Sequence, residues 1–159
     1  MSLLPRIVEW LTIQGVAFEQ RHHAPTLTSR DSAAARGESL SIGGKALLLS
    51  CDGEFRLFVL PADRKLDSAA IRRELPCKKC RFATPEELLE RTGLVPGSVP
   101  PFGQPLLPFP LYVDTALDSN ERVAFNAGSL TDSLILSRED YLRVAAPTAR
   151  FAFSLPPAE

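Results

Sequence analysis

Lys45-Ala-Leu-Leu-Leu-Ser-Cys51-Asp52-Gly53-Glu54-Phe-Arg-Leu-Phe-Val-Leu60 decides the fold. Two runs rich in apolar residues flank Asp-Gly, a pair that tolerates the positive φ angles of a tight hairpin turn. The first run reads as a buried strand, Lys45 to Cys51, and the second as its returning partner, Glu54 to Leu60. Working outward, Leu4, Ile7, Val8 and Leu11 keep helical spacing, with Gly15 as the stop. Val16 to Arg21 alternates like a half-buried strand. Thr28 and Asp31 open a short helix, Ser29 to Arg36, closed by Gly37. Asp67 caps a helix ending near Leu75. Thr84-Pro85-Glu86-Glu87 combines a cap, proline at the first helical position and glutamate at the third, and that helix stops at Gly93. Leu111 to Asp114 reads as a strand. Arg122 to Asn126 and Ser133 to Leu136 read as a strand pair joined through Ala127-Gly128-Ser129, and Ser137 caps a last helix, Arg138 to Val144. Strand pairs interspersed with helices indicate an α+β fold with a largely antiparallel or mixed sheet.

A chain of 159 residues suits one domain with a real core. We place it at 1–150 and expect 151–159, with Pro156 and Pro157, to be a flexible tail. Apolar residues make up 45% and charged residues 23%, the balance of a globular protein. No apolar run nears the roughly 20 residues that cross a bilayer, and the N-terminus lacks a signal-peptide layout. A cytoplasmic protein without a membrane partner is expected.

The formal net charge of −1 hides a basic segment. From Arg64 to Arg81, seven basic residues face Asp67 and Glu74, giving the segment +5. Such a patch suits either a polyanion or a solvated helix face. Cys77-Lys-Lys-Cys80 is a single CxxC, and His22 and His23 are adjacent to each other and distant from it. Structural zinc takes four ligands, and a redox CxxC opens a helix rather than following one. We read ordinary thiols and expect no metal and no cofactor.

Gly93-Leu-Val-Pro-Gly97-Ser-Val-Pro-Pro101-Phe-Gly103 interleaves three glycines with three prolines. Prolines stiffen the run while its other residues keep their N–H groups free, which suits the cradling of a ligand. Lys45 follows Gly43-Gly44 far upstream. This is not a phosphate-binding P-loop, because the first glycine is missing and Ala46 replaces the metal-binding hydroxyl. Lys45 is then either a strand terminus or a cation aimed into a cleft. Asn126-Ala-Gly-Ser129 is a turn that exposes amide and hydroxyl groups.

Lys45-Ala-Leu-Leu-Leu, Thr92-Gly93 with Gly97 to Gly103, Leu111-Tyr-Val-Asp114 and Phe125-Asn-Ala-Gly128, in that order, resemble the YbaK/ProX family. That family comprises aminoacyl-tRNA deacylases and the editing domain inserted in bacterial prolyl-tRNA synthetases. His23-Ala-Pro-Thr26 followed by Ala33-Ala34-Ala35 resembles its early segment. The resemblance runs from about His23 to Val144. It implies one domain with a barrel-like sheet flanked by helices, and metal-free hydrolysis of the ester joining a wrong amino acid to tRNA. The implied partners are aminoacyl-tRNA and an aminoacyl-tRNA synthetase.

An aminoacyl ester is already activated, so a placed water, oxyanion donors and a cation suffice. On this reading Lys45, Gly97 and Gly128 carry the catalysis. Pro100, Pro101, Phe102, Gly103, Asn126, Ala127, Ser129, Leu130 and Asp132 bind substrate, and Arg72, Arg73, Lys78 and Lys79 contact tRNA. Some relatives carry a Ser-His-Thr-His-like run where this chain has Ser129-Leu-Thr-Asp132. Leu130 would dry the pocket and Asp132 would pair with a substrate ammonium. Alanine, serine and threonine are the expected amino acids, with cysteine next. The rival readings are a non-catalytic tRNA-binding or synthetase-associated module, and a binder of small aminoacyl esters without tRNA.

Overall fold

The structure, a computed structural model, describes residues 3–26 and 28–157. In chain order the elements are α1 (Leu3–Ile13), β1 (Phe18–His22), α2 (Ser29–Arg36), β2 (Gly44–Cys51), β3 (Glu54–Pro61), β4 (Lys65–Leu66) and α3 (Ser68–Glu74). They continue with β5 (Cys80–Phe82), α4 (Pro85–Thr92), β6 (Leu111–Asp114), β7 (Arg122–Asn126), β8 (Asp132–Ser137), α5 (Arg138–Ala145), β9 (Ala149–Phe151) and β10 (Ser154–Leu155). The α+β reading holds.

The β2–β3 hairpin turns at Asp52-Gly53, both at positive φ, and pairs Lys45 with Leu60 and Cys51 with Glu54. It is the centre of a five-stranded sheet, order β5-β2-β3-β6-β9, in which β3, β6 and β9 run parallel. Its central strands are buried on both faces, while the edge strands β5 and β9 are partly exposed. Leu57 and Val59 of β3 join the main core, while Phe58 and Leu60 join a second core beneath α3 with Ile71, Tyr112 and Phe153. Two buried faces explain why the hairpin reads as nearly continuous apolar runs rather than alternation.

A second sheet, β1-β8-β7, is antiparallel throughout. One parallel bridge, Gly43 to Ala124, links it to the entrance of β2. The described strands therefore form separate open sheets and not the closed barrel that the word barrel-like suggests. The β1 strand starts at Phe18 rather than Val16, because the Val16 N–H still bonds the Leu11 carbonyl at the end of α1. The flexible tail expected over 151–159 is corrected for 151–155, and residues 158–159 lie outside the described part of the chain. Phe151 closes β9, β10 pairs with β4, and Phe153 is completely buried between them. Apolar side chains at 151 and 153 supply the burial that a tail lacks.

Candidate functional site

Where β2 enters the large sheet, α2, the β2 entrance, β7 and the loop after α4 converge on a cavity of about 150 Å³. A cavity of that volume holds a molecule about the size of benzene. Its wall includes Lys45, Gly97 and Asn126, which are remote from one another in the sequence. Thr26, Thr28, Ser29, Ser32 and Arg36 complete the polar lining, and no carboxylate among the described residues lines it.

Lys45 is half-buried at the start of β2. Its Nζ donates to the Arg64 carbonyl at 2.7 Å. Burial pulls its pKa below the usual lysine range, and Asp63 partly opposes this. Two of its three donors remain for a ligand. Gly97 has φ of 88°, a conformation that a side chain disfavours, and Leu130 Cδ2 would stand 3.5 Å from an added Cβ. Glycine there shapes the wall and leaves its edge open.

Asn126, the last residue of β7, ties the site together. Its Nδ2 donates to the Gly97 carbonyl (2.7 Å) and to Ser32 Oγ (3.2 Å). Its Oδ1 accepts from Arg36 Nη2 (3.0 Å) and from Ser133 Oγ (3.2 Å). Arginine only donates and a carbonyl only accepts, so the amide can face only one way. Thr26 Oγ1 and Ser32 Oγ lie 2.8 Å apart, which extends the network to the hydroxyls of α2 and its approach. The Thr28 cap at the N-terminus of α2 and the left-handed Gly37 at its end orient this helix. Ser29, Ser32 and Arg36 thereby share the face turned to the cavity. Arg36 was not singled out in the sequence, although its helical spacing from Ser29 and Ser32 was the available signal.

Other expected site residues lie elsewhere. Phe102 is completely buried, edge-on to Trp10 and Phe125 at 5.3 Å each. Pro100 is buried beside it, and the Pro101 carbonyl accepts the Tyr141 hydroxyl at 2.7 Å. Gly103 lies against the Phe109 carbonyl, 2.7 Å from where its Cβ would be. These four residues do not line the cavity. Gly128 packs on Leu3, and Ala127 is wholly buried in the core. Leu130 accepts the Thr26 N–H through its carbonyl. Ser129 and Thr131 both donate to the Asp132 carboxylate, which also meets His22 Nδ1 at 2.9 Å. Asp132 is outside the lining, and these hydrogen bonds hold its pKa down against desolvation.

Arg72, Arg73, Lys78 and Lys79 are all exposed. Cys51, Cys77 and Cys80 are free, and burial pushes the Cys51 thiol up to about 12. No group of three or more histidine, cysteine, aspartate or glutamate side chains among the described residues is placed to hold a metal. No helix among them is long and apolar enough to cross a membrane.

The site is a small cavity at a sheet junction of an α+β domain, lined by two cationic side chains together with hydroxyls, glycines and apolar groups. Residues 23–144 match the model of the aminoacyl-tRNA editing domain, and the chain belongs to that family. It is similar to the multifunctional Ser/Thr-tRNA deacylase ProXp-y of Escherichia coli strain K12, 33% identical over 148 residues, covering 89% of this chain and 87% of that one. It also resembles part of the proline–tRNA ligase of Shouchella clausii, 32% identical over 109 residues, which are 69% of this chain and 19% of the ligase. Among solved structures, the hypothetical protein APE2540 superposes with a TM-score of 0.80 at 25% identity, over 94% of this chain and 99% of that one. A candidate trans-editing enzyme for prolyl tRNA synthetase superposes with a TM-score of 0.77 at 24% identity, over 98% and 96% of the two chains.

Proposed function

We propose that the protein is a trans-editing hydrolase that removes a small amino acid, serine, threonine or alanine, from mischarged tRNA. The observation that carries this reading is the convergence of Lys45, Gly97 and Asn126 on one cavity. In the reaction a water oxygen attacks the ester carbonyl carbon. The carbonyl oxygen takes up the negative charge, the bond to the ribose oxygen breaks, and that oxygen leaves with a proton. Free amino acid and tRNA result. The free Nζ donors of Lys45 polarise the ester or hold the tRNA 3′ end, and the backbone at Gly97 supplies a donor to the oxyanion. The substrate's terminal 2′-hydroxyl orients the water.

The hydroxyls of Thr26 and Ser32 favour a hydroxylated side chain over a plain methyl. A site built to bond a hydroxyl discriminates more strongly than a merely small one. The Escherichia coli relative is a Ser/Thr-tRNA deacylase, which supports the same choice. Gly128 and Ala127 shape the β7–β8 turn, and Phe102 and its neighbours hold the loop that carries Gly97. Arg72, Arg73, Lys78 and Lys79 are the proposed tRNA contacts.

The test is a deacylation panel of tRNAs charged with alanine, serine, threonine and cysteine. Lys45→Ala should lower turnover by about 10²-fold or more while the melting temperature stays near that of the parent. Full activity in that variant removes Lys45 from the mechanism. Salt-sensitive tRNA binding without turnover on any charged tRNA replaces the hydrolase with a binding module.

A further inference from the structure

Arg36 is only 7% exposed, yet no carboxylate among the described residues pairs with it. Its side edge is occupied by neutral oxygens: Nε donates to Ser133 Oγ at 2.8 Å and Nη2 to Asn126 Oδ1 at 3.0 Å. Nη1 makes no hydrogen bond among the described residues, and Arg36 lines the cavity. It lies 3.8 Å from the point where a Gly43 Cβ would stand, at the glycine pair that opens the wall. The nearest acid acting on it, Glu38, has its own carboxylate held by Arg122 at 2.8 Å. Burial lowers the guanidinium pKa to about 10, so it stays charged at neutral pH.

A desolvated cation without a counter-ion is costly, and an entering anion removes much of that cost. Lys45, on the same wall, adds a second positive charge, and no acid among the described residues lines the cavity. The amino-acid end of an aminoacyl ester brings no resting anion, because its carboxyl is esterified and its amine is basic. The resting negative charge near that end of a tRNA is phosphate. We infer that Arg36 binds a phosphate of the substrate's 3′-terminal nucleotide through its free end-on edge, Nη1 with the second Nη2 hydrogen. This rests on the deacylase reading for the identity of the substrate. The fork geometry of guanidinium matches two phosphate oxygens. The bracing by Ser133 and Asn126 holds the group in place before the ligand arrives.

Adenosine 5′-monophosphate and adenosine, titrated separately and followed through the amide NMR signals of Gly43, Gly44 and Gly97, test the assignment. The wild type should bind the monophosphate at least ~10-fold more tightly, the scale of a charge-assisted hydrogen bond. Arg36→Gln should lose that preference. In deacylation assays the same variant should raise KM by ~10-fold or more with little change in kcat. It should also reduce the slope of log affinity against log salt by about one. If Arg36→Gln does not fold, Arg36→Lys keeps the cation and loses the fork, and should retain only part of the preference. An equal preference in the variant, no preference in the wild type, or a fall in kcat at unchanged KM would overturn the inference. The last outcome would mean that Arg36 meets the transient oxyanion. Phosphate preference through Arg36 with no turnover on any charged tRNA would keep the inference and remove the deacylase.

Discussion

At Gly43 a single hydrogen stands where any other residue would put a carbon 2.8 Å from Ala62 Cβ and 3.2 Å from the Leu40 carbonyl. Its φ is −63°, so the demand is for space and not for an unusual backbone. Gly43→Ala should destabilise the protein by about 1–3 kcal/mol, the usual cost of overpacking, and urea unfolding would measure it. A stability equal to the parent's would show that Ala62 yields freely. Residues such as Lys45 and Asn126 were legible in the sequence, because each is a polar residue at the end of an apolar strand. For Arg36 only the helical spacing from Ser29 and Ser32 was legible, because its burial is a tertiary fact. A helix reading Ser-Arg-Asp-Ser-Ala-Ala-Ala-Arg looks solvated until a second sheet covers one face.

Among the elements, α4 shows how much local chemistry decides. Thr84 and Glu87 form a complete capping box, with Pro85 in the first turn. The hydrogen bond from Arg81, then that from the Thr84 N–H, lowers the Glu87 pKa from 4.5 to about 2. A depressed carboxylate pKa stabilises the fold above the unfolded value, and that stability is lost as pH falls through the folded one. The advantage of the parent over Glu87→Gln in thermal melts should therefore be full at pH 6 and close between about pH 4.5 and 2. A gap constant across that range would remove the ion pair from the account. The capped helices were readable because their signals are local. The Gly93–Gly103 run was readable only as a loop. Its first half reaches the cavity at Gly97 and its second half plugs the core through Phe102. Spacing alone does not divide the run, because proline and glycine serve both a cradle and a buried corner. The short strands β4, β5, β9 and β10 escaped notice for a related reason. Two or three residues carry no periodicity, and their pairing partners are distant in sequence.

Across the whole molecule, the cavity and the basic patch occupy opposite ends of β2. Lys45 is the second residue of the strand, and Cys51, six residues on, pairs with Cys80 of β5, next to Lys78 and Lys79. At about 3.3 Å per residue the two ends are roughly 20 Å apart. That span suits a polyanion whose end enters the cavity while its backbone crosses the patch. The +5 of the sequence is not all available for this. Arg64 turns inward to Ser154 and Arg81 pairs with Glu87, which leaves Lys65 on β4 and Arg72, Arg73, Lys78 and Lys79 on α3 and its following loop exposed without ion pairs among the described residues. The Asp52 carboxylate accepts the Lys78 and Lys79 N–H groups at 2.9 and 2.8 Å and fixes their turn, so neutralising the two side chains leaves that backbone intact. Exchanging Arg72, Arg73, Lys78 and Lys79 for glutamine should raise KM for charged tRNA and leave kcat near the parent value. Each lost phosphate contact should lower the salt slope by about one. A short aminoacyl-ester substrate that ends at the terminal nucleotide should be turned over as before, because it never reaches the patch. If KM and the salt slope for charged tRNA are both unchanged, the acceptor stem lies on another face, and the positive charge on α3 and its following loop serves only solubility.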